Sequence, residues 1–146
     1  YNDGALIAQQ IPAVGLDVTV LAASSVYSPQ FLNLGGAAVE GVYTVSRFHP
    51  ADPRPEAQQF VERFRERYGT DPDTFAAGAY DGMKILAAVL NRVGVDRKAL
   101  RDGLEQAENL ETILQGVTAF GEDRRLRNPR FVPLVVRGGA FAIWNP

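Results

Sequence analysis

The chain has 146 residues, 46% of them apolar and 22% charged, proportions that suit one globular domain with a core of its own. A net charge of −2 and a pI near 5.4 argue against a nucleic-acid footprint, which needs a clustered basic excess. With no cysteine, disulfides, zinc–thiolate sites and cysteine nucleophiles are excluded, and no apolar run reaches the length of a membrane span.

Residues 5–14 carry apolar side chains at Ala5, Leu6, Ala8 and Ile11, a loose helical pattern with Pro12 near its end and Gly15 as its stop. The β-branched run over residues 17–23 predicts a buried strand. Ser28-Pro29 has the form of an N-cap with proline in the first turn, opening a short helix through Leu34 that stops at Gly35-Gly36. A second strand is expected over residues 41–46, and the three prolines of residues 48–55 predict an extended crossover loop.

A helix follows over residues 56–68, with Ala57, Phe60, Val61, Phe64 and Tyr68 on one face and Gly69 ending it. Asp71-Pro72-Asp73 starts the next, to about Val93, with an expected core stripe of Phe75, Ala79, Met83, Leu86 and Leu90. Asp96 caps a third helix over residues 98–107 with Leu100 and Leu104 inward. Residues 116–120 read as a short strand. Residues 131–137 and 140–144 form a hairpin across Gly138-Gly139. Strands separated by helices point to an α/β sheet with helices on its faces.

Catalytic chemistry finds little purchase. His49 is the only histidine and has no partner at metal-ligand or triad spacing, so neither a metal nor any other cofactor is expected. Asp71 and Asp73 suit a helix start better than an acid–base pair. Gly35-Gly36 stands between a helix and a strand, which is wrong for a phosphate loop. The basic run Arg124-Arg125-Leu126-Arg127 reads as a solvated turn rather than a phosphate site. The sequence therefore predicts no enzyme.

What the residues do carry is a resemblance spanning nearly the whole chain. YNDGALIAQQIPAVGLDVTVLAAS, then LGGAAVEGVYTVSRFHPADPRPEAQQFVERFRERYGTDPDTFAAGAYDGMKILAAVLNRVG, then GVTAFGEDRRLRNP and a final hairpin resemble, in order and spacing, the C-terminal portion of leucine/isoleucine/valine-type periplasmic solute-binding proteins. The resemblance implies a partial type I periplasmic-binding-protein fold, Rossmann-like with three α/β/α layers. It also implies an extracytoplasmic receptor that closes around a small ligand in a cleft between two lobes and hands it to the permease of an ABC importer. The same fold used as a sensor in a signalling receptor is the alternative. By resemblance, residues 1–47 and 119–146 belong to the C-terminal lobe and residues 48–118 to the N-terminal lobe. With an opening at Tyr1-Asn2-Asp3-Gly4, the chain is expected to be a piece that lacks an N-terminal half, pairing with that half or self-associating through exposed edges.

The site residues also come from the resemblance. Tyr1 matches the aromatic that covers the ligand. Ser24 and Ser25 fall where amino-acid-binding members carry an acid for the ligand ammonium. A hydroxyl cannot neutralise a buried cation. The expected ligand is therefore amino-acid-like but better suited as an aromatic or other carboxylate, or a neutral amide, than as a simple α-amino acid. Phe75 matches an aromatic that touches ligand side chains, although its place in the helix pattern fits a core role equally well. Tyr80 matches the helix tyrosine of the family block, with a structural or hinge-lining role and Asp81 beside it facing polar surroundings.

Overall fold

In a computed structural model, the protein is described over residues 1–145; Pro146, grouped above with the C-terminal lobe, lies outside them. The chain divides into two compact units. The first holds Tyr1–Ser46 and the stretch from Phe131 on, and the second is Arg47–Arg130.

In the first unit, helix α1 (Asn2–Ala13) tolerates Pro12 in its last turn, and the chain leaves it through Gly15 at φ 74°. A 3-10 turn (Ser24–Val26) leads to α2 (Pro29–Gly35), whose Ser28 hydroxyl accepts from the amides of Gln30 and Phe31 while Pro29 fills the first turn. Gly35 is required by contact, because a Cβ there would stand 2.2 Å from Val39 Cγ1. A second 3-10 turn (Gly36–Val39) follows, then β1 (Tyr43–Ser46). β1 pairs antiparallel with β4 (Val132–Arg137), and β4 with β5 (Ala140–Ile143), in the order β1-β4-β5. The central strand buries Val132, Leu134, Val135 and Val136, on both faces. Gly138 and Gly139 make the tight turn at φ 58° and 73°, and the Glu40 carboxylate accepts both of their amides at 2.7 and 3.2 Å. The core joins Ala5, Ala8, Val26, Phe31, Val39 and Val136.

The strand expected over residues 17–23 forms only in rudiment. Ala22 N donates to Tyr43 O and Tyr43 N to Val20 O, one parallel bridge between Leu21 and Tyr43. Val18 and Leu21 are exposed. A parallel strand needs neighbours along its length, and in this unit the segment meets only the start of β1.

The second unit carries α3 (Pro55–Tyr68), α4 (Thr74–Val93), α5 (Arg97–Glu105) and a hairpin of β2 (Leu110–Thr112) with β3 (Gly116–Thr118). Gly69 in the left-handed region ends α3, Asp73 caps α4, and Asp96 caps α5. One core cluster gathers Phe48, Phe60, Val61, Ala77, Ile113 and Leu114, and another Ile85, Val89, Ala107 and Leu110. Gly103 lets α5 approach α4, since a Cβ there would fall 2.8 Å from Val89 Cγ1.

One expectation is corrected in this unit. The buried stripe of α4 is Ala77, Asp81, Ile85 and Val89, whereas Phe75 and Met83 are 78% and 65% exposed. Both stripes have helical spacing. The packed one is selected by α5 and by the β2–β3 hairpin, partners that periodicity alone does not identify. The second compact unit runs on to Arg130. Thr118 Oγ1 donates to Arg127 O, Arg127 N donates to Ala119 O, and Phe120 packs beside Leu110, which holds residues 119–130 to the second unit.

Candidate functional site

The extended segment that runs parallel to β1 ends at Ala23, whose carbonyl accepts from Thr44 Oγ1 at 3.0 Å. Ser24 and Ser25 therefore stand just beyond the carboxyl end of that segment, the position where open α/β sheets present ligand-binding loops. Both residues are exposed. Among the described residues, neither hydroxyl has a hydrogen-bond partner in the chain. They do not cap the next helix, because Ser28 performs that role.

Tyr1 occupies the N-cap position of α1, its carbonyl accepts from Ala5 N at 3.0 Å, and its side chain makes no cap and is half exposed. The first turn of α1 packs on the 3-10 turn, since a Cβ on Gly4 would stand 3.0 Å from Val26 Cγ1. The first turn of α1, which Tyr1 precedes, thus packs against the turn that carries the two free hydroxyls. A ring can stack on a planar group, hydroxyls can donate or accept hydrogen bonds, and neither brings a charge.

Phe75 and Tyr80 lie on α4 of the second unit but not on one face, because five residues turn a helix by about 140°. Phe75 projects as an exposed ring. Tyr80 faces α3, with its ring 5.0 Å from that of Phe60 and Lys84 Nζ 5.8 Å from its centroid. It lines a groove of about 590 Å³ with Phe60, Phe64, Arg63 and Arg67.

The carboxylates that the structure buries are occupied. Asp81 is 4% exposed and accepts from Ile113 N at 2.7 Å and Leu114 N at 2.9 Å, pinning the β2–β3 turn to α4. Burial raises its pKa, and these two amides only partly oppose the effect. Its polar surroundings are therefore a buried pair of backbone amides. Asp52 is 2% exposed. Burial pushes its pKa up, but hydrogen bonds from Arg54 and the charges of Arg54 and Arg130 outweigh that and hold it below the ordinary aspartate value. Neither role was visible in the sequence. Asp52 sits in a proline-rich loop, and Arg130 is 78 residues away along the chain. Among the described residues no three His, Cys, Asp or Glu side chains converge as a metal would require, and no helix is long and apolar enough to cross a membrane.

The sequence model of the family described as periplasmic binding protein matches residues 1–140. A Leu/Ile/Val-binding protein homolog from Brucella abortus is 27% identical over 121 residues, covering 81% of this chain and 32% of its own length. The chain thus spans about a third of that relative. Among solved structures, a leucine-binding protein from Thermotoga maritima superposes with a TM-score of 0.87 at 28% identity, over 99% of this chain and 42% of that one. A putative branched-chain amino acid ABC transporter from Rhodospirillum rubrum does so with a TM-score of 0.78 at 35% identity and the same coverage.

Proposed function

The chain belongs to the periplasmic binding protein family, and on that premise we propose that it is part of an extracytoplasmic solute receptor delivering a small amino-acid-like or carboxylate ligand to the permease of an ABC importer. Solved and sequence relatives named for leucine and Leu/Ile/Val binding, and for a branched-chain amino acid ABC transporter, support the class. The type I periplasmic-binding α/β fold, which the superpositions establish, is consistent with it.

The observation that carries the ligand reading is the pair of unengaged hydroxyls, Ser24 and Ser25, at the carboxyl end of an extended segment. The resemblance puts a carboxylate at this point in amino-acid-binding members, to meet the ligand ammonium. Here the donor set is neutral, so an ammonium brought against it would lose water without gaining a counter-charge. An acid without a free amine, aromatic or aliphatic, suits it better. Phe75 is a second proposed contact. In the second unit its ring packs in neither core cluster, which leaves it available to an apolar ligand group.

A thermal-shift panel of the full-length receptor tests this, because a ligand that binds the native state raises the melting temperature. Stabilisation by carboxylates lacking an amine, weakened by Ser24→Ala and Ser25→Ala, is the expected result. Stabilisation by leucine, isoleucine or valine, with the acids silent, would keep the receptor and overturn the ligand class.

A further inference from the structure

The chain passes between the two units twice, at 46/47 and at 130/131. Inside the first unit the sheet ties the two passages together, because Ser46 ends β1 directly opposite Val132, where β4 begins. Inside the second unit a single carboxylate does so. Arg130, the last residue before the second passage, donates from Nη1 to Asp52 Oδ2 at 2.8 Å, and Asp52 lies just beyond the first passage.

Asp52 is itself firmly held. It is buried, and its carboxylate also accepts from Arg54 N, Nε and Nη2, while Arg54 Nη2 donates onward to Ile113 O. Gln58 Nε2 of α3 donates to Pro50 O and Asp52 O at 2.9 and 2.6 Å. Phe48 is buried in a core cluster of the same unit. The first passage is thus fixed as far back as Phe48, which leaves Arg47 between that anchor and the end of β1. On the second passage Arg127 is held by its backbone bonds with Ala119 and Thr118. Asn128 and Pro129 are exposed, and Phe131 is 53% exposed. Among the described residues, the bond from Arg130 to Asp52 is the one side-chain hydrogen bond or ion pair that residues 128–131 make.

We propose that Asp52 is a hinge latch, a positioning residue that holds both passages at one point of the second unit, so that movement between the units is taken up at Arg47 and Phe131. Hinges are a few residues that absorb a change in backbone angles while the elements beside them stay rigid. With Arg130 held, the passages are short on both paths. With it released, the second path is free from Asn128 to Phe131, and the two passages no longer bend in step. The latch presupposes the receptor reading, in which two lobes close around a ligand, but it can be read with no ligand present.

The test is double electron–electron resonance on the full-length receptor without ligand, spin-labelled in pairs. Gln10→Cys and Glu66→Cys place labels at exposed positions, one in each unit, and report on the hinge. Glu66→Cys with Glu105→Cys places both labels at exposed positions of the second unit and reports on its integrity. Arg130→Met leaves the pair of Asp52 with Arg54 in place. It should broaden the 10–66 distance distribution and leave the 66–105 distribution at its wild-type width. Arg130 meets Asp52 through one nitrogen, so the ammonium of Arg130→Lys can replace it and should return the 10–66 distribution toward the wild-type width. A 10–66 distribution unchanged in Arg130→Met overturns the latch, as does one that stays equally broad in Arg130→Lys. Broadening of the 66–105 distribution in Arg130→Met also overturns it, because Arg130 would then be holding the second unit together. None of these results touches the receptor reading, which stands or falls on the thermal-shift panel.

Discussion

Two carboxylates of the second unit and two hydroxyls of the first are used in opposite ways. Asp52 and Asp81 are buried, and their oxygens are filled by guanidinium groups and backbone amides. Ser24 and Ser25 are exposed and bind nothing in the chain. A buried polar atom without a partner is costly, so a saturated carboxylate reports on folding. A polar atom left open at the carboxyl end of a sheet segment is available to another molecule. The two carboxylates should therefore control stability and the two hydroxyls should not.

The largest effect is expected at Asp52. Asp52→Ala removes the shared acceptor of Arg54 and Arg130 and the acceptor of Arg54 N, at a cost of about 2–4 kcal/mol. Urea unfolding followed by circular dichroism measures it. A loss well under 1 kcal/mol would show that the pair is a surface decoration and would erase the contrast. Asp81→Ala should come next, at about 2 kcal/mol, because it leaves Ile113 N and Leu114 N buried without an acceptor. Native-state hydrogen exchange supplies a local readout, in which those two amides should lose protection before the rest of α4.

The same two residues separate by the sign of their pH dependence. The Asp52 pKa is depressed in the folded chain, so its contribution is complete above the ordinary aspartate value and disappears as pH falls through its lower folded value. Asp81 is raised, so the stability linked to it is complete below the ordinary value and disappears as pH rises through its higher folded value. The advantage of the wild type over Asp52→Asn should therefore shrink on acidification, while its advantage over Asp81→Asn should grow. Parallel curves for the two variants would contradict the assignment of burial as the dominant influence on Asp81.

What the sequence made legible follows the range of the interaction. The caps Ser28, Asp73 and Asp96, the stop at Gly69 and the Gly138-Gly139 turn were all anticipated, because each is decided within a few residues. The α4 stripe was misassigned because two faces share the helical period, and only the docking of α5, permitted by Gly103, and of the β2–β3 hairpin chooses between them. β2 went unread because Leu110-Glu111-Thr112 is too short to show alternation and exists through its pairing with β3. At the candidate site, resemblance named Tyr1, Ser24 and Ser25, while the local Ser28-Pro29 pattern assigned the cap of α2 to Ser28, whose hydroxyl bonds carry it. Asp52 depends on Arg130, far along the chain, and no local pattern encodes that pairing.

The smallest expected effect completes the contrast. Ser24→Ala and Ser25→Ala should each change unfolding free energy by no more than about 0.5 kcal/mol, since neither hydroxyl has a bond to lose. Once a stabilising acid is known, each should weaken its binding by about threefold to tenfold, the range of one hydrogen bond to a charged or polar ligand group. Isothermal titration of both variants against that acid reads affinity separately from stability. A serine whose loss destabilises the fold, and whose affinity effect vanishes when measured on the folded fraction, would belong with Asp52 and Asp81 as a structural residue. Introducing an acid sharpens the same test. Ser24→Glu restores a carboxylate at the place where the resemblance puts one, so it should repel the acid and admit ligands bearing an ammonium, with the melting temperature of the free protein little changed.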